Sequence, residues 1–201
     1  VEQHKNFVVY GPGRTGSHWV ESIVIGQVSP AEFNYKSCHF FPDGWIYHSN
    51  SIDELLTVPQ EVRNSVTLIV CDRSNYFDVA VSYFVAEHTD EWFIYTDKPV
   101  VPFNVDSDAF ISVLDGLYTA CQLIKSRVVP MYNRMIRVDY DQLVSAAIPE
   151  KYVADLLSID YIADSLHTRN SFRNKNTRKY QELVLNWNQL VDIYQNHTVD
   201  H

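Results

Sequence analysis

The feature that most constrains this chain is a short apolar run that stops at a glycine turn and is followed by an amphipathic helical stretch. Phe7-Val8-Val9-Tyr10 is rich in β-branched and aromatic residues and reads as a strand. Gly11-Pro12-Gly13-Arg14-Thr15-Gly16 breaks it, and Ser17-His18-Trp19-Val20-Glu21-Ser22-Ile23-Val24-Ile25 opens a helix. A strand, a Gly-rich loop and a helix in that order turn backbone N–H groups at the helix start toward an anion. The helix dipole favours the same charge.

Gly11 and Gly16 keep the GxxxxG spacing of a Walker A loop. Ser17 stands where the lysine for the β- and γ-phosphates belongs, however, and His18 where the Mg²⁺-binding Ser/Thr belongs. The cation sits inside the loop instead, at Arg14. Such a loop suits a phosphate better than a metal-bound nucleoside triphosphate. Arg14-Thr15-Gly16-Ser17-His18-Trp19 resembles the 5′-phosphosulfate loop of the sulfotransferases, which read Lys/Arg-Ser/Thr-Gly-Ser/Thr-x, often followed by Trp. Those enzymes use 3′-phosphoadenosine 5′-phosphosulfate (PAPS) and release adenosine 3′,5′-bisphosphate.

A second stretch carries the same resemblance. Val66-Thr67-Leu68-Ile69-Val70-Cys71 is a nearly continuous apolar run, as expected of a strand buried on both faces. Arg73 follows it, and Asp78-Val79-Ala80-Val81-Ser82-Tyr83 matches the family's Asp-Val-x-x-Ser-Tyr. In the family, a strand-end Arg and a Ser about eight residues on hold the 3′-phosphate. Here Arg73 and Ser82 are nine apart, and the usual proline after the arginine is absent. Arg137-Val138-Asp139-Tyr140-Asp141-Gln142-Leu143 is similar to the family's later strand-to-helix segment. The competing reading takes Cys71-Asp72 as the end of a Walker B strand and the chain as a small kinase using ATP and Mg²⁺. A catalytically silent nucleotide-binding module is a third.

The resemblance implies a three-layer α/β fold, a central parallel sheet flanked by helices with P-loop NTPase-like topology. Strands separated by helices along the chain point the same way. Expected strands lie at Asn6–Tyr10, Gly44–His48, Val66–Cys71 and Met135–Val138, with Phe33–Phe41 either strand or packed loop. Expected helices include His18–Gln27, Ser51–Leu56, Tyr76–Glu87, Ser107–Arg127, one from Asp141, one from Pro149 and Arg178–Gln195. At 201 residues and 46% hydrophobic, residues 1–201 are expected to form one domain.

A net charge of −9 argues against a nucleic-acid or heparin-like binder. No window of about 18 apolar residues is present to span a membrane. Cys38, Cys71 and Cys121 are odd in number and scattered, and read as reduced thiols of a cytoplasmic protein. A chain beginning at Val1 is compatible with a removed leader or anchor. Nothing in the sequence sets an oligomeric state.

The resemblance also implies roles. Gly13, Arg14, Thr15, Gly16, Ser17 and His18 would cradle the 5′ end of the donor, Arg14 stabilising the leaving phosphate. Trp19 would stack on adenine under the resemblance, whereas its place at a helix start by itself reads as core packing. Arg169, Arg173 and Lys175, in a basic stretch of an acidic chain, would close over the 3′-phosphate. The family's base is a His or Glu at the end of a strand preceding the arginine strand; His48 closes Trp45-Ile46-Tyr47-His48 and is the first candidate. His39 is the second, since Lys36-Ser37-Cys38-His39-Phe40-Phe41-Pro42 resembles the family's Lys-Thr-His-Leu-Pro. Glu21 and His18 are the remaining candidates. Trp92, Phe93, Tyr95, Pro99, Pro102 and Phe103 suit an acceptor lid, with a small-molecule or glycan acceptor. Cys38, His39 and His48 have no ligand-pair spacing, so no metal is expected.

Overall fold

Alternation inside the strands decides the layers. The structure is a computed structural model and describes residues 5–28, 38–41, 44–90, 100–163 and 180–197. The chain, expected to be one domain, divides into two compact units, Val1–Ser74 with Gln122–Arg173 and Asn75–Cys121 with Asn174–His201.

The first unit is α/β. Its strands are β1 (Lys5–Tyr10), β2 (Cys38–Phe41), β3 (Gly44–Ser49), β4 (Thr67–Asp72) and β5 (Arg134–Asp139), in the order β2-β3-β1-β4-β5. β3, β1, β4 and β5 are parallel. β2 pairs antiparallel with β3, so the expectation of a wholly parallel sheet is corrected at this edge. Phe7, Val9, Ile69 and Cys71 face one side, packed with residues of α1 (Ser17–Val28), α6 (Tyr140–Ser145) and α7 (Pro149–Leu157). Val8, Tyr10, Leu68 and Val70 face the other, against Leu55 of α2 (Ile52–Thr57) and against Ile124 and Val128. With both faces covered, the inner residues of each strand, Phe7–Tyr10 of β1 and Leu68–Cys71 of β4, are apolar on both sides of the pleat. A short helix absent from the sequence reading, α3 (Gln60–Ser65), precedes β4.

The second unit is helical among its described residues: α4 (Tyr76–Thr89), α5 (Ser107–Leu123), α8 (Tyr180–Leu183) and α9 (Trp187–His197). Phe77, Val81, Phe110, Leu114 and Leu190 are in its core. Two departures from expectation have identifiable causes. The helix expected to run to Arg127 turns π-helical over Ile124–Val128, ahead of Pro130, whose ring and missing N–H bar an α-helical continuation. The expected Arg178–Gln195 helix is broken between α8 and α9. There Leu185 N–H donates to Phe103 O at 2.8 Å, and Asn186 uses both ends of its side-chain amide on the Val105 backbone. Tertiary hydrogen bonds override helical periodicity at this point.

Leu68, fully buried between β1 and β5, tests the packing of the sheet's second face. Leu68→Ala should cost about 2–5 kcal/mol in urea unfolding. A loss below about 1 kcal/mol would mean that this face is not closed as described.

Candidate active site

β1 hands over to α1 through a loop that only glycine permits at two points. A Cβ on Gly11 would come within 2.4 Å of Thr15 Oγ1, because the loop folds back on itself. A Cβ on Gly16, at φ +78°, would meet the Tyr140 ring at 2.6 Å. Gly13 faces no such contact. Arg14 also has a positive φ of 69°, a conformation that costs a residue with a side chain about 1 kcal/mol or more. The Gly16 carbonyl accepts from Val20 N–H at 3.0 Å, so Gly16 caps the helix. The N–H groups of Ser17, His18 and Trp19 therefore belong to the first turn, where no intrahelical acceptor exists. Thr15 is 2% exposed, and its Oγ1 has no hydrogen-bond partner among the described residues.

Two residues of β3 point under this helix. Ile46 and His48 share a face, and their β1 register partners are Phe7 and Val9, which pack beneath α1. His48 is 8% exposed and meets the helix's first two turns. Its Nε2 lies 3.0 Å from Ser17 Oγ, and its Nδ1 lies 3.3 Å from Glu21 Oε2. His18 Nδ1 is 3.4 Å from the same carboxylate oxygen, and the two imidazoles meet edge to face at 4.0 Å. Burial pushes His48 from the usual 6.5 down to about 4; His18 adds to this, and the Glu21 carboxylate opposes it. His48 is therefore neutral near pH 7, with one ring proton. An ionised Glu21 can only accept, so the proton belongs on Nδ1, and Nε2 offers its lone pair to the Ser17 hydroxyl. Cys71 lies on the same face of the sheet. Burial and the Glu21 and Asp72 carboxylates push its thiol upward, so it is not a nucleophile here.

The loop after β1 and Arg73 after β4 stand at neighbouring strand ends. From β1 the chain goes on to β2 and β3 on one side and from β4 to β5 on the other, a divergence of the kind at which parallel sheets bind ligands, at the carboxyl edge. Tyr140 joins the two. Its ring blocks a side chain at Gly16, meets Trp19 edge-on at 6.4 Å and lies under the Arg73 guanidinium, 4.8 Å from Cζ to ring centre. Arg73 Nε is 3.9 Å from Asp141 Oδ1. Asp72 accepts from the Arg73 N–H at 2.8 Å through one oxygen and pairs with Arg137 through the other.

Other expected site residues are placed differently. Trp19, expected as an adenine platform, is 6% exposed and built into the core beneath α1. Ser82 lies in the second unit, buried, and accepts from the Tyr180 hydroxyl at 3.2 Å. Phe103, expected in the lid, stacks on His88 at 4.0 Å and bridges to Val184. His39 is on β2, with its side chain outside the described residues; Arg169, Arg173, Lys175, Trp92, Phe93, Tyr95 and Pro99 lie outside them entirely. Two contributors escaped the sequence reading. Glu21 is a candidate base in the sequence rather than the partner of one; the available signal is a carboxylate between Trp19-Val20 and Ile23-Val24-Ile25. Tyr140 had no signal beyond its place after a strand. No protein-family model matches the chain, and no curated protein matches it.

The depressed His48 value has a consequence for folding. The unfolded chain binds that proton more tightly than the folded one, so stability falls as pH drops from about 6.5 to about 4. The loss from this group should be on the order of a few kcal/mol. His48→Gln should flatten that part of a stability-versus-pH curve measured by denaturant unfolding. An unchanged slope would assign the acid sensitivity to another group.

Proposed function

We propose that the chain is a sulfotransferase with a P-loop-like topology, moving sulfonate from PAPS to a hydroxyl or amine of a small-molecule or glycan acceptor. The observation that carries this reading is the 3.0 Å contact between His48 Nε2 and Ser17 Oγ. It joins a neutral buried base to the loop that suits a phosphate. Fit to an anion rests on the first-turn N–H groups, on the buried Thr15 hydroxyl, which has no partner among the described residues, and on Arg14 held within the loop.

In this reading the loop, Ser17 and the first turn of α1 bind the phosphosulfate end of the donor. Arg14 stabilises the negative charge that develops on the leaving phosphate as the S–O bond to it breaks. Ser17 occupies the place at His48 Nε2 that an acceptor hydroxyl takes once Ser17 turns toward the donor. His48 then receives the acceptor's proton as the new S–O bond forms, and Glu21 stabilises the resulting imidazolium across Nδ1–H. Arg73, stacked on Tyr140, supplies a guanidinium fork for the 3′-phosphate. The kinase alternative asks Asp72 to hold Mg²⁺, but Asp72 engages Arg137 and the Arg73 backbone instead.

Adenosine 3′,5′-bisphosphate should stabilise the protein with EDTA present, by about 2.7 kcal/mol at about 100 times its dissociation constant in a thermal-shift titration. Arg73→Ala should remove most of that effect while changing the response to AMP much less. Stabilisation that requires ATP and Mg²⁺ would favour the kinase reading.

His48→Ala should lower turnover by roughly 10²–10⁴-fold and leave donor binding nearly intact, measured by steady-state kinetics beside calorimetry over a panel of phenols, sterols and sugars. Arg14→Ala should weaken both, since it touches ground and transition states alike. Donor binding by the wild-type chain with no turnover on any acceptor would support the silent module.

A further inference from the structure

The first turns of α1 place His18 and Glu21 three residues apart on one side of the helix, and β3 brings His48 beneath them. Oε2 of Glu21 lies 3.4 Å from one Nδ1 and 3.3 Å from the other. Those separations lie just beyond the usual N–H···O range of about 2.7–3.2 Å, so the bond that the metal-free His48 makes to Glu21 through Nδ1–H is a long one. They match the distance between neighbouring ligands on one metal ion: with bonds of about 2.0–2.1 Å, the corners of a tetrahedron stand about 3.3–3.4 Å apart. All three donor atoms lie within 4.8 Å of one another. His18, 29% exposed at its side chain, is the ligand with space to turn and close the remaining edge.

We propose that His18, Glu21 and His48 form a Zn²⁺ site with three protein ligands and one open position. Two imidazole nitrogens and one carboxylate oxygen suit Zn²⁺, whereas Mg²⁺ and Ca²⁺ take oxygen ligands. Glu21 is a carboxylate only 3% exposed, and a cation beside it offsets the cost of burying its charge. The outer contact is also in place: a ligating imidazole is usually fixed by a hydrogen bond from its other nitrogen, here from His48 Nε2 to Ser17 Oγ. A metal on Nδ1 leaves the imidazole's one proton on Nε2, where it donates to Ser17. The lone pair of the proposed base is then gone, so the site is inhibitory. Ion binding stands apart from the sulfotransferase reading; only this effect on turnover rests on it.

The test is titration of metal-free protein with Zn²⁺, followed by a competing indicator dye, and with Co²⁺, followed by visible absorption. One equivalent of either should bind, Co²⁺ giving the intense bands of a low-coordinate nitrogen–oxygen site. His18→Ala and Glu21→Gln should each weaken Zn²⁺ at least about 100-fold, since outer partners of a ligand alone cost about 10–100-fold. His18→Cys should retain binding, and His88→Ala, in the second unit, should leave it unchanged. Circular dichroism checks that each variant folds, and His18→Ala decides alone if Glu21→Gln does not. The proposal is overturned if no saturable equivalent appears by about 10 µM free Zn²⁺, a concentration far above what a built site needs. Full affinity in His18→Ala, or a loss found in Cys38→Ser instead, overturns it equally.

Discussion

Helix α1 is buried on almost every side, and the rest of the first unit is arranged around that constraint. Ten of its twelve residues are buried, so its polar side chains must find partners inside the protein. Ser22 donates to the Trp19 carbonyl at 2.8 Å. Gln27 holds Ile162 by both its backbone groups, accepting at 2.6 Å and donating at 3.3 Å. Glu21 lies between two histidines, and Ser17 meets one of them. An unsatisfied group in any of these places would cost about 1–3 kcal/mol. The chemistry of the site is thus a by-product of how a buried helix satisfies itself: its first two turns meet the end of β3, where His48 faces Glu21 and Ser17.

Tyr140 gives the site its second wall. It begins α6 directly after β5, capped by Asp139, whose side chain accepts from Gln142 N–H at 3.0 Å. Because β4 separates β5 from β1, a ring at that position reaches across to the loop and to Arg73 together. Gly16 and Tyr140 are consequently one structural choice. A side chain on the first would displace the second and with it the support of the guanidinium.

Much of this was legible in the sequence. The apolar run Val66–Cys71 and the glycines around Arg14 each carry a local rule that tertiary context did not overturn. His48 was legible as a strand-end histidine, and its partners follow from pleat alternation once β3 is set beside β1. What was not legible depended on distant pairing. The break between α8 and α9 is fixed by Phe103 and Val105, neighbours far along the chain. The assembly of His18, Glu21 and His48 shows no ligand spacing because two of the three come from a helix and the third from a strand.

The backbone at Arg14 has a meaning for how this chain varies. A left-handed residue is most comfortable as glycine, or failing that asparagine, and arginine is held there at a cost in folding free energy. A library screened for thermal endurance alone would therefore drift toward glycine at position 14. The guanidinium found there is a residue that folding, left to itself, would have discarded.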